Sequence, residues 1–542
     1  MSRTFRPVRD LPTVIWLVAT AAATLIHPWV AAPRWLMLHL LLLGALSHAV
    51  LVWSRFFADA LLKTPSDDTR TQDRRLLLLN VGVTLIVVGV LTAWWPLTLV
   101  GATAVGSAVI WHGIVLLSML RRALPSRFAS TVHYYVAAAC LLPAGATLGA
   151  LLARGVHDPW HPRIVMAHAA INLLGWVGLT VVGTLVTLWP TLLRTRMTEG
   201  AERWAARALP VLVGAIAITV AGALSGQQLL MALGLTCYLT GLGLTCRSFL
   251  DALRRRTPTT FAPLSVGAGM AWWVGCLVAL IVAVATADSF ADVERGFRWL
   301  TPYLAAGFAA QVLVGALSHL IPVSLGGGPR PVRAAATEMD RGAHLRLTLV
   351  NAGMLLCALP VPSLVRDLAS VLALAGFVAW LPLMVRALTA STRAKRSPDS
   401  VAPPDGSVNG WTRPRGQAAG LVAVGLGLVM FAAAAGVALD PAGLGSTTVQ
   451  AASAGIPPTG ETTTVTVVTK DMRYHPSTIT VPAGNRLVIH LRNESQDVHD
   501  LALETGQKSD RVSPGASTTL DVGVVGRTLD GWCTLVGHRQ MG

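Results

Sequence analysis

A chain of 542 residues with 53% apolar residues, only 13% charged residues and a mean hydropathy of +0.58 is too apolar to be a string of soluble domains. Its formal charge of +16 does not point to nucleic acid, because the arginines fall between apolar runs and form no basic surface helix. Five of the six cysteines, Cys140, Cys237, Cys246, Cys276 and Cys357, lie in or beside apolar segments, which leaves Cys533 alone in a polar domain and excludes a disulfide framework. The composition predicts a polytopic membrane protein with membrane lipid as its first partner.

In chain order, the basic start "MSRTFRPVRD" runs into an apolar stretch with no small-residue cleavage site, which predicts a retained first helix. A bilayer core needs about 20 apolar residues per helix. Thirteen stretches qualify, at about 11–32, 34–55, 75–95, 97–120, 127–154, 163–191, 203–224, 227–250, 260–287, 299–324, 343–361, 365–390 and 416–439. Positive charge alternates with them. With the N-terminus in the cytoplasm, the inner loops carry Arg70, Arg74 and Arg75, then Arg121 and Arg122, Arg194 and Arg196, Arg254 to Arg256, Arg330 and Arg333, and Arg393, Lys395 and Arg396. The outer loops carry few positive charges, so the positive-inside rule places the C-terminal domain outside the cytoplasm.

Pro, Gly, Ser and charge mark two linkers. They divide the chain into a twelve-helix membrane domain (1–392), a cytoplasmic linker (393–415), a thirteenth anchor (416–439), a flexible linker (440–462) that leaves the last domain free to swing, and a β-domain (463–542). From Thr463 onward the apolar period is two, and "TVTVVT", "STITVP", "RLVIHLRN", "HDLALE" and "STTLDV" read as short strands of a sandwich. "GGGPRP" at Gly326 reads as a helix stop and turn, not as a phosphate loop.

Ionisable residues inside apolar spans are costly and point to function. The candidate cofactor ligands are His39 on the second span, His168 on the sixth and His319 on the tenth, with His48, His112 and His133 also within spans. His39 and His48 are nine residues apart, on opposite sides of a helix, and cannot share a metal. His168 and Asn172 share a face. Hydrogen bonding to neighbouring helices, haem ligation and copper ligation are the three readings of these histidines. Histidines on spans two, six and ten of a twelve-helix body resemble the catalytic subunit of haem-copper oxidases and nitric oxide reductases. The likeness is partial, because the seventh span has no histidine and the tenth has one.

The clearest chemistry lies between Asn493 and Gly542. His499 opens an alternating run, and Cys533 and His538 form a Cys-x4-His pair after a second strand-like run. One soft thiolate and two imidazoles, with a weak axial thioether, suit copper that cycles between its two oxidation states. With "TVPAGNRLVIHLRN", "HDLALE" and "GWCTLVGHRQMG" around them, these residues resemble the cupredoxin domains of membrane-anchored bacterial multicopper oxidases and copper nitrite reductases. The resemblance implies a Greek-key sandwich with type 1 copper on His499, Cys533 and His538. Met541 follows His538 by three residues where the family's axial methionine follows by four or five, so either Met541 serves as a fourth, axial ligand, or the copper is three-coordinate, or, as is the expectation, the chain continues past Gly542 to its axial ligand. His490 alternates with Val488 within a strand and reads as a structural or surface residue.

The expected fold is thus a polytopic all-α bundle of about thirteen transmembrane helices followed by an all-β cupredoxin-like sandwich. The expected function is copper electron transfer with a redox partner protein or a C-terminal oxidase module. Copper handling for tolerance or delivery is one alternative, and a haem-binding respiratory-type protein with an accessory copper domain is the other.

Overall fold

A computed structural model of the protein describes residues 6–30, 32–64, 68–396, 416–439, 452–470, 473–495 and 497–535. Its helical body comprises α1 (Pro12–Leu25), α2 (Pro33–Leu62), α3 (Thr69–Leu91), α4 (Trp95–Arg122), α5 (Ala129–Arg154), α6 (Trp160–Leu192), α7 (Ala201–Ser225), α8 (Gln228–Arg255), α9 (Phe261–Thr286), α10 (Phe290–Leu325), α11 (Ala343–Ala358), α12 (Ser363–Arg396) and α13 (Gln417–Leu439). Among the described residues eleven of these are long and apolar enough to cross a membrane, and the chain is a multi-pass membrane protein. The two shorter apolar helices, α1 and α11, stand where two further spans are expected. Proline in the first turn of α1, α2 and α4 starts those helices at no cost, since the first N–H groups have no intrahelical acceptor. Gly326, Gly327 and Gly328 all take positive φ between α10 and a short helix Pro329–Met339, which makes "GGGPRP" the turn its composition implies.

Three helices form the centre of the body. In α2, α6 and α10 the apolar window is 61, 83 and 78% buried, against 22–50% in the other long spans. These same three carry a π-helical stretch, at Leu40–Leu46, Ala170–Leu179 and Tyr303–Ala310. Such stretches rotate the following turn and recur at functional sites. Each central helix is followed by a hairpin closed by glycine. A Cβ at Gly82 of α3 would sit 2.9 Å from the Gly101 carbonyl of α4, one at Gly234 of α8 would sit 2.4 Å from the Thr219 nitrogen of α7, and one at Gly353 of α11 would sit 2.8 Å from the Ala369 carbonyl of α12. In lipid, where apolar burial does not drive helices together, such close approach supplies the packing.

The pentapeptide "GALSH" occurs at 44–48 and again at 315–319, and the same offset relates Arg75 to Arg346 and Asn80 to Asn351. The two copies are used alike. Ser47 accepts from Trp176 Nε1 and Ser318 from Trp380 Nε1, both at 2.9 Å. Asn80 bonds the His48 ring at 2.9 Å, while Asn351 exchanges amide bonds with Gln311 and accepts from Trp272. This internal repeat makes His319 the counterpart of His48.

The second unit is a β-sandwich. Its main sheet has the order β2 (Arg473–His475), β1 (Thr462–Lys470), β3 (Arg486–Asn493), β5 (Ser517–Val524), with β1 and β3 parallel and the other pairs antiparallel. A two-stranded ladder joins β4 (Ala502–Leu503) to β6 (Gly531–Trp532). Alternate residues Leu487, Ile489 and Leu491 of β3 meet Val467, Leu501, Leu520 and Val522 in the core, as the period of two requires. Residues 477–482, expected as a strand, form no ladder. They lie between Pro476 and Pro482, which lack the N–H a ladder needs, and contribute Ile479 and Val481 to the core. Ala452 is also buried there, and its carbonyl accepts from the Gly526 nitrogen at 2.7 Å.

Candidate metal centre

Two of the four expected copper ligands lie among the described residues. The β4–β6 ladder pairs Ala502 with Trp532 and Leu503 with Gly531. Carried on, that antiparallel register sets His499 and Cys533 diagonally on one face of neighbouring chain segments. Both are buried, His499 at 2% exposure and Cys533 at 4%. The other expected ligands, His538 and Met541, lie outside the described residues, and among the described residues no cluster of three metal-ligating side chains is assembled.

The backbone of His499 is held at both ends of a bridge to Val512, N–H to carbonyl at 3.1 Å one way and 2.7 Å the other. The wholly buried Asn493 organises the turn before it: its Nδ2 donates to the Asp497 and Val512 carbonyls at 2.7 and 2.8 Å, and its Oδ1 accepts from Ser495 N and from Thr469. Asp500, also wholly buried, is the residue that joins the two ligand strands. Its carboxylate accepts from Thr534 N and Thr534 Oγ1, both at 2.6 Å, and meets Lys508 Nζ at 3.0 Å and Arg511 Nε at 3.3 Å. Tyr474 Oη donates to its carbonyl. The neighbour of one ligand thus grips the neighbour of the other. Burial pushes the Asp500 carboxyl up, but Lys508, Arg511 and the Thr534 hydrogen bonds outweigh it and hold the group below the usual carboxylate range.

The donors fit copper. Burial, despite the opposing charges of Asp497 and Asp500, lowers the His499 imidazole and keeps it neutral, with a lone pair to give. Burial and then the Asp500 charge push the Cys533 thiol up to about 11 in the metal-free protein, so at neutral pH the thiolate forms only as a metal takes the proton's place. Asp500 and Asn493 escaped the sequence reading. An acid directly after a candidate ligand, inside the apolar run "HDLAL", is the signal that could have drawn attention to Asp500.

His490 is exposed on β3 and bonds Thr519 of β5 at 2.9 Å, a cross-strand surface pair. In the helical body, His48 is saturated by the Arg9 carbonyl at 3.0 Å and Asn80 at 2.9 Å. His112 bonds Ser54 at 2.8 Å, and the exposed His133 bonds the Ala129 carbonyl. His39 and His168 come together, with ring centroids 6.4 Å apart. His319 does not join them. It lies within electrostatic reach of Arg194, past the far end of α6 from His168.

The end of the sandwich that carries His499 and Cys533 rests on the α5–α6 loop. Arg511 N donates to Asp158 Oδ2 at 2.9 Å, and Gly155 packs against Val498 and Leu535, residues beside His499 and Cys533. His161, at the start of α6, lies within electrostatic reach of Arg511, Lys508 and Asp500. The domain expected to swing therefore sits against the body in this structure.

A family model for the cupredoxin-like domain matches residues 442–525. That match takes in the main sheet and His499 and stops short of Cys533. The C-terminal unit is a cupredoxin-like domain, a class associated with copper and electron transfer. No curated protein matches the chain.

Proposed function

We propose that the protein is a membrane-anchored copper redox protein in which His499, Cys533 and His538 hold type 1 copper and pass single electrons to and from a partner. The buried Asp500 carboxylate, bonded to Thr534 N across the two ligand strands, carries this reading. An electron-transfer site needs a ligand frame that stays put in both oxidation states, and a clamp between the ligand strands serves that purpose where copper delivery would call for exposed, mobile ligands. When bound, copper supplies a one-electron couple tuned by its thiolate. Cys533 and His499 provide the donors, and Val467, Leu501 and their neighbours exclude water. The alternation of arginine supports a position outside the cytoplasm, where the domain would serve a multicopper oxidase or copper nitrite reductase partner or module.

The test is the visible and EPR spectrum of the copper-loaded full chain. A thiolate-to-copper charge-transfer band with narrow hyperfine splitting is expected, lost in Cys533→Ser and in His499→Ala. Copper bound with no such band, or a band that survives Cys533→Ser, would sink the proposal.

A further inference from the structure

The two central helices α2 and α6 bring His39 and His168 side by side at the end of the body that carries the β-sandwich. Each sits at the entrance to a π-helical stretch, His39 directly before Leu40–Leu46 and His168 two residues before Ala170–Leu179. His39 Nδ1 lies 2.8 Å from the Trp35 carbonyl and His168 Nδ1 lies 2.9 Å from the Gly145 carbonyl. A carbonyl only accepts, so both rings carry their proton on Nδ1 and present a lone pair on Nε2. This is the tautomer and the support that metal-bound imidazoles use. No described residue donates to His39 Nε2. The nearest donor to His168 Nε2, Asn172 Nδ2, stands at 3.5 Å, the outer limit of a hydrogen bond.

The ring centroids are 6.4 Å apart and the planes differ by 27°. Imidazoles bound through Nε2 to opposite sides of one metal, with bonds of about 2.0 Å and about 1.15 Å from nitrogen to ring centre, have centroids about 6.3 Å apart. Although α2 and α6 are among the most buried spans, both residues keep some accessible surface, and the Trp35 ring stacks on His39 with centroids 4.2 Å apart. A Cβ at Gly149 of α5 would sit 2.9 Å from His168 Cε1, and only glycine leaves the ring its place. We propose that His39 and His168 are the axial ligands of a haem held within the helical body, a site independent of the copper domain.

Two protein ligands are too few for most bare metal ions, and no group of three is found among the described residues. They are the full requirement of haem iron, which brings four nitrogens of its own. Haem also brings carboxylates. Arg34, five residues before His39, lies within electrostatic reach of Arg298 of α10 and has no ion-pair partner among the described residues. Arg298 is paired with Glu294 at 2.6 Å, so the charge that suits such an anionic edge is that of Arg34. His319 is not part of the site, since the internal repeat equates it with His48 and equates His39 with Ala310.

The test uses the full chain purified in mild detergent from haem-replete cells, read by absorption, pyridine haemochrome and metal analysis. One haem per chain is expected, six-coordinate and low-spin, with no carbon monoxide binding when reduced. His39→Ala and His168→Ala should lose the haem or turn it into a five-coordinate form that binds carbon monoxide. His39→Met and His168→Met keep the bulk and should retain haem with shifted bands, while His319→Ala and His112→Gln keep the original spectrum. A monodisperse protein without haem, copper in place of iron in the body, or a haem spectrum indifferent to both His39 and His168 variants overturns the proposal. The copper band of the sandwich is a separate signal, so loss of either site is read without the other.

Discussion

Asp500 shows how one side chain can order the backbone around two candidate ligands, His499 and Cys533, without being a candidate itself. Asp500→Ala would leave the Lys508 and Arg511 charges and the Thr534 N–H facing a buried void. Breaking a buried ion pair from one side costs about 3–5 kcal/mol. The expected outcome is a copper domain that unfolds at markedly lower urea concentration, followed in the full chain through the charge-transfer band, with Asp500→Asn intermediate because it still accepts from Thr534. His490→Ala is the contrast: the residue is exposed and its one partner is Thr519, so stability should change by no more than about 0.5 kcal/mol. At this scale the sequence offers His499 and Cys533 as candidates, because ligand types and spacing are local, and the structure shows both buried. Asp500 was not, since its partners at 508, 511 and 534 meet it only after folding.

Within the body, the helix pairs depend on where glycine is indispensable and where it is idle. In the α7–α8 hairpin a Cβ at Gly234 would press to 2.4 Å on the Thr219 backbone nitrogen, whereas one at Gly214 meets nothing within 4 Å. Gly234→Val should destabilise the detergent-solubilised chain by at least the ~1–3 kcal/mol typical of overpacking. Gly214→Ala should be neutral or stabilise by up to about 1 kcal/mol. Aggregation temperature by size exclusion separates the two, with the copper band unchanged in both. Helix identity and order were legible from length and hydropathy. The π-helical stretches were not, because nothing in "LLLLGAL" or "AINLLGWVGL" distinguishes i→i+5 from i→i+4 bonding.

For the whole molecule, the structure sets the end of the sandwich that carries His499 and Cys533 on the α5–α6 loop, and covalent capture tests that placement. A Cβ at Gly155 would lie 3.6 Å from Val498 Cβ, within the 3.5–4.5 Å range of disulfides. The double variant Gly155→Cys with Val498→Cys should cross-link on mild oxidation. After proteolysis within residues 440–451, body and sandwich should then migrate together until reduced. Separation of the fragments in the oxidised sample would show that the domain does not rest there.

The sequence alone determined that this chain crosses a membrane many times and carries a cupredoxin-like β-domain of period two, with His499 and Cys533 as candidate ligands. Each of these is a property of composition, period or local spacing. Tertiary structure decided which intramembrane histidines are partners. His39, His168 and His319 look alike in sequence, each an imidazole in an apolar run. Only packing brings the first two within 6.4 Å of each other and leaves the third beside Arg194, because the rotational setting of helices far apart in the chain is fixed by their mutual contacts and not by the residues flanking each histidine.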